Sequence, residues 1–437
     1  MHQTMIEKIL SRHIAEGIAR AGEIVIARPD VVLLNDISGP VTFRQFDVMG
    51  ATRTFDPDRI VLVADHFSPA KDVISAESIR ILREFGERHA IRHFYDTGNG
   101  GIEHAVLAEI GMVGPGTLVF GADSHTCTAG ALNAAGIGFG STDLAAALAT
   151  GELWLNVPET IHIELAGKPS PFVTGKDVIL AVLRAIGSDG ATNAALEFGG
   201  PGLAALNVDE RFAVANMAVE AGGETCVIEA DDVLNRWLAA RGRNPGEAVA
   251  PDPGAVYRQV LEIDLGALSP LVSRPPSPAD AVPVETLERT RVDQVYIGNC
   301  SNGTLTDLRQ AAAVLKHRKV ARGVRMMVVP ATQSIYRAAM KEGLLDMFLE
   351  AGAAVSPPTC GACFGGHMGI LAAGETAIAT TNRNFRGRMG HVDSRVFLAN
   401  AWVAAAAAVA GEIVPPAQVL GDAPVLVRGP ELVRGNE

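Results

Sequence analysis

Positive charge is in short supply. The 437-residue chain carries 37 Lys and Arg against 49 Asp and Glu, a formal net charge of −12. A molecule of that sign is not drawn to phosphate backbones or anionic lipid, so a nucleic-acid role would need a local basic patch. No stripe of Lys and Arg interleaved with aromatics supplies one, and no nucleic-acid partner is expected. Cysteines number five, an odd count and too sparse for a secreted scaffold stapled by disulfides. Long apolar runs are missing as well. The uncharged stretch Val396 to Gly411 is too short and too alanine-rich to cross a bilayer. The start, Met1 to His13, holds Glu7, Lys8 and Arg12 among its apolar residues and reads as an amphipathic helix, not a signal peptide. A soluble, cytoplasmic protein with no membrane partner is expected.

What is present argues for a folded enzyme-sized molecule. Apolar residues at 48% and charged residues at 20% exclude a disordered chain. The length fits two or three domains. Strand-like runs alternate with helical patterns: Ile60 to Ala64 before a helical Ile74 to Ile91, Thr117 to Phe120 before an Ala-rich stretch after Gly140. The alternation resumes with Val295 to Ile297, a helix from Leu305, Met326 to Val329 and a helix from Gln333. This is the pattern of an α/β protein with largely parallel sheets. Between 268 and 284, Pro270, Pro275, Pro276, Pro278 and Pro283 break both periodicities. That segment is the expected linker between residues 1–267 and 285–437.

Polar clusters stand at strand ends. Asp65-His66 follows Ala64, Asp123-Ser124-His125 follows Phe120, Cys300 follows Ile297, and Thr380-Thr-Asn382-Arg383 follows a short apolar run. Open α/β sheets bind ligands outside the carboxyl ends of their strands, so one cleft lined by all four clusters is expected.

Cys360-Gly-Ala-Cys363 is the only close thiol pair, in a Gly-rich surrounding that leaves backbone amides free near an inorganic group. Cys300, in Gly298-Asn-Cys-Ser-Asn-Gly303, is a third thiol on a Gly-flanked turn. Three thiolates on a four-iron cluster would leave one iron open to substrate as a Lewis acid. Two other readings stand beside it: buried small hydrophobes on an ordinary turn, or a zinc site. Pro-x-Cys-x-x-Cys resembles the zinc deaminases, whose upstream His-x-Glu has a match here in His162-Ile-Glu164. Asp65-His66, Glu103-His104 and Asp123-Ser124-His125 set imidazoles beside acids, which suits a general acid, and Glu197 lies on a further segment. Adjacent residues on a strand point to opposite faces, so adjacency alone does not pair them. Arg383, Arg386 and Arg388 form either a solvated basic turn or forks for carboxylates. Cys127 and Cys226 read as structural.

The phrases Asp65-His-Phe-Ser-Pro-Ala-Lys71, Gly100-Gly-Ile-Glu-His104, Gly121-Ala-Asp-Ser-His-Thr126, Ile297-Gly-Asn-Cys-Ser-Asn-Gly303, Pro358-Thr-Cys-Gly-Ala-Cys363 and Thr381-Asn-Arg-Asn-Phe-Arg-Gly-Arg388 resemble the aconitase superfamily, in its order and over nearly the whole chain. Gly-Ile-Glu-His and Gly-Gly-His-Met-Gly resemble the isopropylmalate dehydratase group within it. The resemblance implies three α/β/α domains, two of them before the linker, with no room in this chain for the swivelling fourth. It implies a small subunit that supplies that domain and its serine base. It also implies one [4Fe–4S] cluster on Cys300, Cys360 and Cys363. The implied catalytic set is Asp65, His66, His104, Asp123, Ser124, His125 and Glu197, with His66 protonating the departing hydroxyl. Arg383 and Arg388 would grip substrate carboxylates, Asn382 would stand near the cluster, and Asn35 replaces a substrate-binding Gln.

The implied reaction dehydrates and rehydrates a small 2-hydroxy di- or tricarboxylic acid, 3-isopropylmalate first among them. Related enzymes act on homoaconitate, citramalate or 2,3-dimethylmalate, and some cluster-free aconitases bind RNA. Asn299, Ser301 and Thr304 stand where the family usually has Ser, Thr and Arg. Asn400-Ala401 replaces a usual Ser-Pro. These departures are expected to bear on the choice of substrate.

Overall fold

The computed structural model describes residues 2–244 and 246–421. The chain divides into two compact units, one of residues 1–165, 189–208 and 215–262, the other of 166–188, 209–214 and 263 onward.

The first unit contains a five-stranded parallel sheet in the spatial order His93–Tyr95, Ile60–Val63, Val31–Asn35, Leu118–Gly121, Ala135–Gly138. Its three central strands are buried at every position, as continuous apolar runs covered on both faces must be. The helix Val73–Arg88 follows the Ile60–Val63 strand. Asp72 caps it by accepting the Ser75 N–H, and it buries Ile79, Leu82 and Phe85. A four-stranded sheet runs in the order Thr225–Ile228, Ala194–Gly199, Glu159–Ala166, Gln259–Asp264. The strands Ile24–Ala27 and Leu153–Asn156 form an antiparallel ribbon.

The second unit is built on a seven-stranded sheet in the order Ala281–Pro283, Leu271–Ser273, Arg395–Leu398, Thr376–Ala379, Gln294–Gly298, Arg325–Val329, Ala354–Val355. The last five are mutually parallel and the first two antiparallel. The proline-rich stretch is therefore not a bare connector. It forms a two-stranded edge of this sheet, where a residue without an N–H is tolerated. Residues 166–188 also belong to this unit, so the division falls away from 268–284. The alanine-rich run is the helix Ala401–Ala410, buried from Ala401 through Ala408 and in contact with the helix Leu305–Leu315. Among the described residues no helix is long and apolar enough to cross a membrane.

Candidate active site and thiol centre

In the first unit the polar residues gather where parallel strands end. The chain leaves the strand Ile60–Val63 and turns through Asp65, His66 and Phe67. Asp36, just past the neighbouring strand Val31–Asn35, pins that turn. Its Oδ1 accepts the N–H groups of Asp65 (3.0 Å) and His66 (2.9 Å), and its Oδ2 accepts that of Phe67 (2.8 Å). The turn frees Asp65 and His66 from strand alternation, and Asp65 Oδ1 lies 2.6 Å from His66 Nδ1. The other oxygen of Asp65 accepts the Glu103 N–H at the start of the helix Glu103–Ile110 (2.8 Å). Glu103 Oε1 in turn accepts from Asn35 Nδ2 (2.8 Å).

Asp123 is the second hub. It caps the helical segment Ser124–Leu132, and its Oδ1 accepts the His125 N–H (2.7 Å). The same oxygen lies 3.1 Å from His104 Nε2 and 3.2 Å from His125 Nδ1. Asp123 Oδ2 is 3.9 Å from His66 Nε2, which joins the two hubs. The segment can lie so close to the sheet because residue 136 is glycine: a Cβ there would sit 1.9 Å from the Thr126 carbonyl oxygen. Ser124 itself is exposed.

This crowding separates the ionisation of its members. Burial alone would lower the His66 pKa, but the charge and hydrogen bond of Asp65, with Asp36 and Glu103 behind, hold it well above the usual imidazole value. Burial would raise Asp123, yet the hydrogen bonds from His104 and His125 hold it well below the usual carboxylate range. Burial, then the charges of Asp65 and Asp123, push Glu103 well above that range. The neighbours thus favour the charged form of His66, the ionised form of Asp123 and the neutral form of Glu103. Two triplets of potential metal ligands lie here, Asp36/Asp65/His66 and His66/Glu103/Asp123, each within 4.8 Å. The Asp36 oxygens already accept three N–H groups and Asp65 a fourth, so the geometry reads as an anchored proton network.

Glu197 stands elsewhere. It is fully buried on the strand Ala194–Gly199, where its Oε1 accepts the Ile6 N–H (2.7 Å) and its Oε2 has no hydrogen-bond partner. Burial pushes its pKa up to about 7. The glutamate that meets the histidines is Glu220, whose Oε1 lies 2.8 Å from His125 Nε2. Sequence reasoning missed it, along with Asp36. A signal existed: Asn216 and Glu220 are a polar pair four residues apart in the otherwise apolar run Val214 to Ala221. Asn216 Nδ2 donates to Thr128 Oγ1 at 2.8 Å, tying its segment to the one that carries His125.

In the second unit three thiols converge. Cys300 follows Gly298 and Asn299, both at positive φ (148° and 122°). A Cβ on residue 298 would lie 2.5 Å from the Val329 carbonyl oxygen, so only glycine fits. Asn299 holds the turn by accepting from Ser301 N–H (2.9 Å), Ser301 Oγ (3.0 Å) and Asn302 N–H (2.9 Å), and its Nδ2 is 3.8 Å from Cys363 Sγ. Asn382 reaches two thiols, with Nδ2 3.5 Å from Cys300 Sγ and Oδ1 3.6 Å from Cys363 Sγ. Lys176, wholly buried, donates to the carbonyls of Thr380 (2.9 Å) and Thr381 (2.8 Å) and to Ser301 Oγ (3.4 Å). One ammonium thus ties together the loops carrying Cys300 and Asn382. Cys300, Cys360 and Cys363 are buried and in no disulfide. Soft sulfur donors meeting at one asparagine, with a buried cation behind them, fit an iron–sulfur cluster. Arg383 and Arg388 are half-buried on the following loop, Arg388 lying over the Phe385 ring at 5.6 Å.

Two of the departures prove to be helix caps. Thr304 caps Leu305–Leu315 in a reciprocal capping box with Asp307. Asn400 caps Ala401–Ala410, accepting the Val403 N–H (3.0 Å) and donating to Asp177 Oδ2 (2.8 Å) and the Phe172 carbonyl (2.9 Å). These bonds serve local structure.

The profile of the aconitase family (aconitate hydratase) matches residues 7–411. The chain belongs to the aconitase family. It is a hydro-lyase, and the family implies an iron–sulfur cluster for the thiols described above. The 3-isopropylmalate dehydratase large subunit 2 of Rubrobacter xylanophilus is 54% identical over 419 residues, covering 96% of this chain and 99% of that one. The 3-isopropylmalate dehydratase large subunit of Syntrophus aciditrophicus is 50% identical over 416 residues, covering 95% and 99%. Both relatives are named as large subunits, which implies a small-subunit partner. The crystal structure of Thermococcus kodakaraensis aconitase X (holo-form) has a TM-score of 0.50 at 11% identity, covering 84% of this chain and 88% of that one. That likeness concerns the fold.

Proposed function

We propose that this chain is the cluster-bearing large subunit of a hydro-lyase that removes water from 3-isopropylmalate and returns it with the opposite regiochemistry. The observation that carries the reading is a buried imidazole held by Asp65 at 2.6 Å in a chain that also brings the thiols of Cys300 and Cys363 to Asn382. The names of relatives at 50% and 54% identity support the substrate.

Cys300, Cys360 and Cys363 would hold one [4Fe–4S] cluster. When bound, such a cluster offers one iron without a protein thiolate as a Lewis acid for the substrate hydroxyl. The chain's own residues supply the proton. Asp65 keeps the His66 imidazole charged and engages Nδ1, which leaves Nε2 as the donor to the departing oxygen. Asp123, held ionised, fixes His104 and His125, and Glu220 holds the far nitrogen of His125. Ser124 opens that segment. Arg383 and Arg388 grip substrate carboxylates and stabilise charge developing there, and Asn35 and Asn382 position the substrate. Glu197 acts outside this set, as an anchor for the helix Met5–Ser11.

Removal of a carbon-bound proton needs a base. We assign it to a serine on a swivelling domain supplied by the small subunit. The five-stranded and four-stranded sheets of the first unit and the seven-stranded sheet of the second would be the three α/β/α domains. Five cysteines outside disulfides suit a reducing cytoplasm.

The test is an anaerobic assay of this chain with its small subunit on a panel of 2-hydroxy di- and tricarboxylic acids, following the conjugated alkene by ultraviolet absorbance. Turnover of 3-isopropylmalate is expected. Turnover of homoaconitate, citramalate or 2,3-dimethylmalate instead would keep the chemistry and replace the substrate. An iron-loaded complex inactive on every acid would refute the reading.

A further inference from the structure

Tyr296 lies in the middle of the strand Gln294–Gly298, opposite Met327 on one neighbouring strand and Ala379 on the other. None of its surface reaches solvent, and its hydroxyl has no hydrogen-bond partner. A buried hydroxyl without an acceptor is costly, and phenylalanine would fill the same space without that cost. The hydroxyl is not lost among apolar side chains either. A Cβ on Gly361, in the turn between Cys360 and Cys363, would come 3.3 Å from it. Burial, then the charges of Cys363, Cys360 and Cys300, push its ionisation well above the usual phenol value, so it stays an O–H donor. A buried donor beside the turn that joins Cys360 and Cys363, with no acceptor in this arrangement, calls for a further acceptor in the same place.

We propose that Tyr296 donates its hydroxyl hydrogen bond to a sulfur of the bound cluster; this rests on the reading of Cys300, Cys360 and Cys363 as cluster ligands. Tyr296 is then a positioning residue that tunes the cluster through its sulfur. Hydrogen bonds to cluster sulfur favour the more negative, reduced state, so they raise the reduction potential and strengthen retention.

The experiment compares the iron-loaded chain with Y296F, which keeps the ring and removes one oxygen. Iron and sulfide per chain are measured first, then the midpoint potential, the rate of iron release to a chelator, and the sensitivity of the resonance Raman Fe–S bands to H/D exchange. The variant is expected to bind iron, to show a lower potential, to release iron about two- to tenfold faster, and to lose the deuterium shift of one Fe–S band. Shifts in bridging bands would identify a sulfide acceptor, and shifts in terminal bands a cysteinyl sulfur. Equal potentials and equal deuterium sensitivity in both proteins would overturn the proposal. A parent chain that binds no iron would overturn the ligand reading and this inference with it. The deuterium shift in the parent stands as a test even where the variant fails to fold.

Discussion

Replacing Glu197 by Gln exchanges a carboxyl for a group of nearly the same shape that never ionises. Glu197 has no exposed surface, its Oε1 accepts the Ile6 N–H, and its Oε2 has no partner. Burial, opposed by the backbone bonds from Ile6 and Met5, pushes its pKa up to about 7 from an ordinary 4.5. Because the folded value lies above the unfolded one, the folded chain binds the extra proton between those values. Stability is therefore lost as pH rises from 4.5 to about 7, and the full cost remains above that. At about 1.4 kcal/mol per pH unit, the ionised carboxylate costs about 3 kcal/mol at pH 8 and under about 1 kcal/mol at pH 5. The amide oxygen introduced by Glu197→Gln still accepts the Ile6 N–H, so the variant should be more stable than the parent at pH 8 by up to that amount. Near pH 5 it should differ little. Urea unfolding of both proteins at the two pH values, followed by far-ultraviolet circular dichroism, measures the difference directly. A stability difference that is the same at pH 5 and pH 8 would refute the assignment of a buried, proton-holding carboxyl.

Three further outcomes are expected. Cys360→Ser should abolish bound iron while leaving the circular dichroism spectrum of the chain unchanged; full iron stoichiometry in the variant would refute the ligand set. Asp65→Asn removes the main charge holding the His66 proton, so the imidazole, followed by NMR titration, should deprotonate at lower pH than in the parent. In the parent the charged form, and the stability it contributes, is present below the ordinary value of 6.5 and is lost only as pH rises through the raised one. The alkaline limb of activity should move down with the variant's imidazole. Asn400→Ala removes a helix cap and a donor to the buried Asp177, and should cost about 1–3 kcal/mol in urea unfolding without altering the preference among hydroxy acids.

Most expected strands agree with the structure to within a residue or two, while the helix expected over 74–91 ends at Arg88 and the one expected over 1–13 spans Met5–Ser11. Ile60–Val63 followed by Val73–Arg88, and Gln294–Gly298 followed by Leu305–Leu315, needed only apolar runs and helical periodicity. The pairing of Asp65 with His66 was beyond such reasoning, because it depends on Asp36 turning the chain off the strand. The capping roles of Thr304 and Asn400 went unseen for a related reason. A residue's departure from a motif says nothing of whether its side chain faces a ligand or its own helix.

What the sequence alone determined is the alternating α/β character, the three thiols with their glycines, and the His/carboxylate motifs, all of them written in runs of a few residues. The tertiary structure decided which carboxylates meet which imidazoles. His125 takes Glu220, 95 positions away, and not Glu197; the His66 turn hangs on Asp36, 30 positions away; Cys300 and Asn382 meet across 82. Such contacts are set by strand order and register in parallel sheets, where the polar ends of strands distant in the chain are brought side by side, and no local pattern encodes that order.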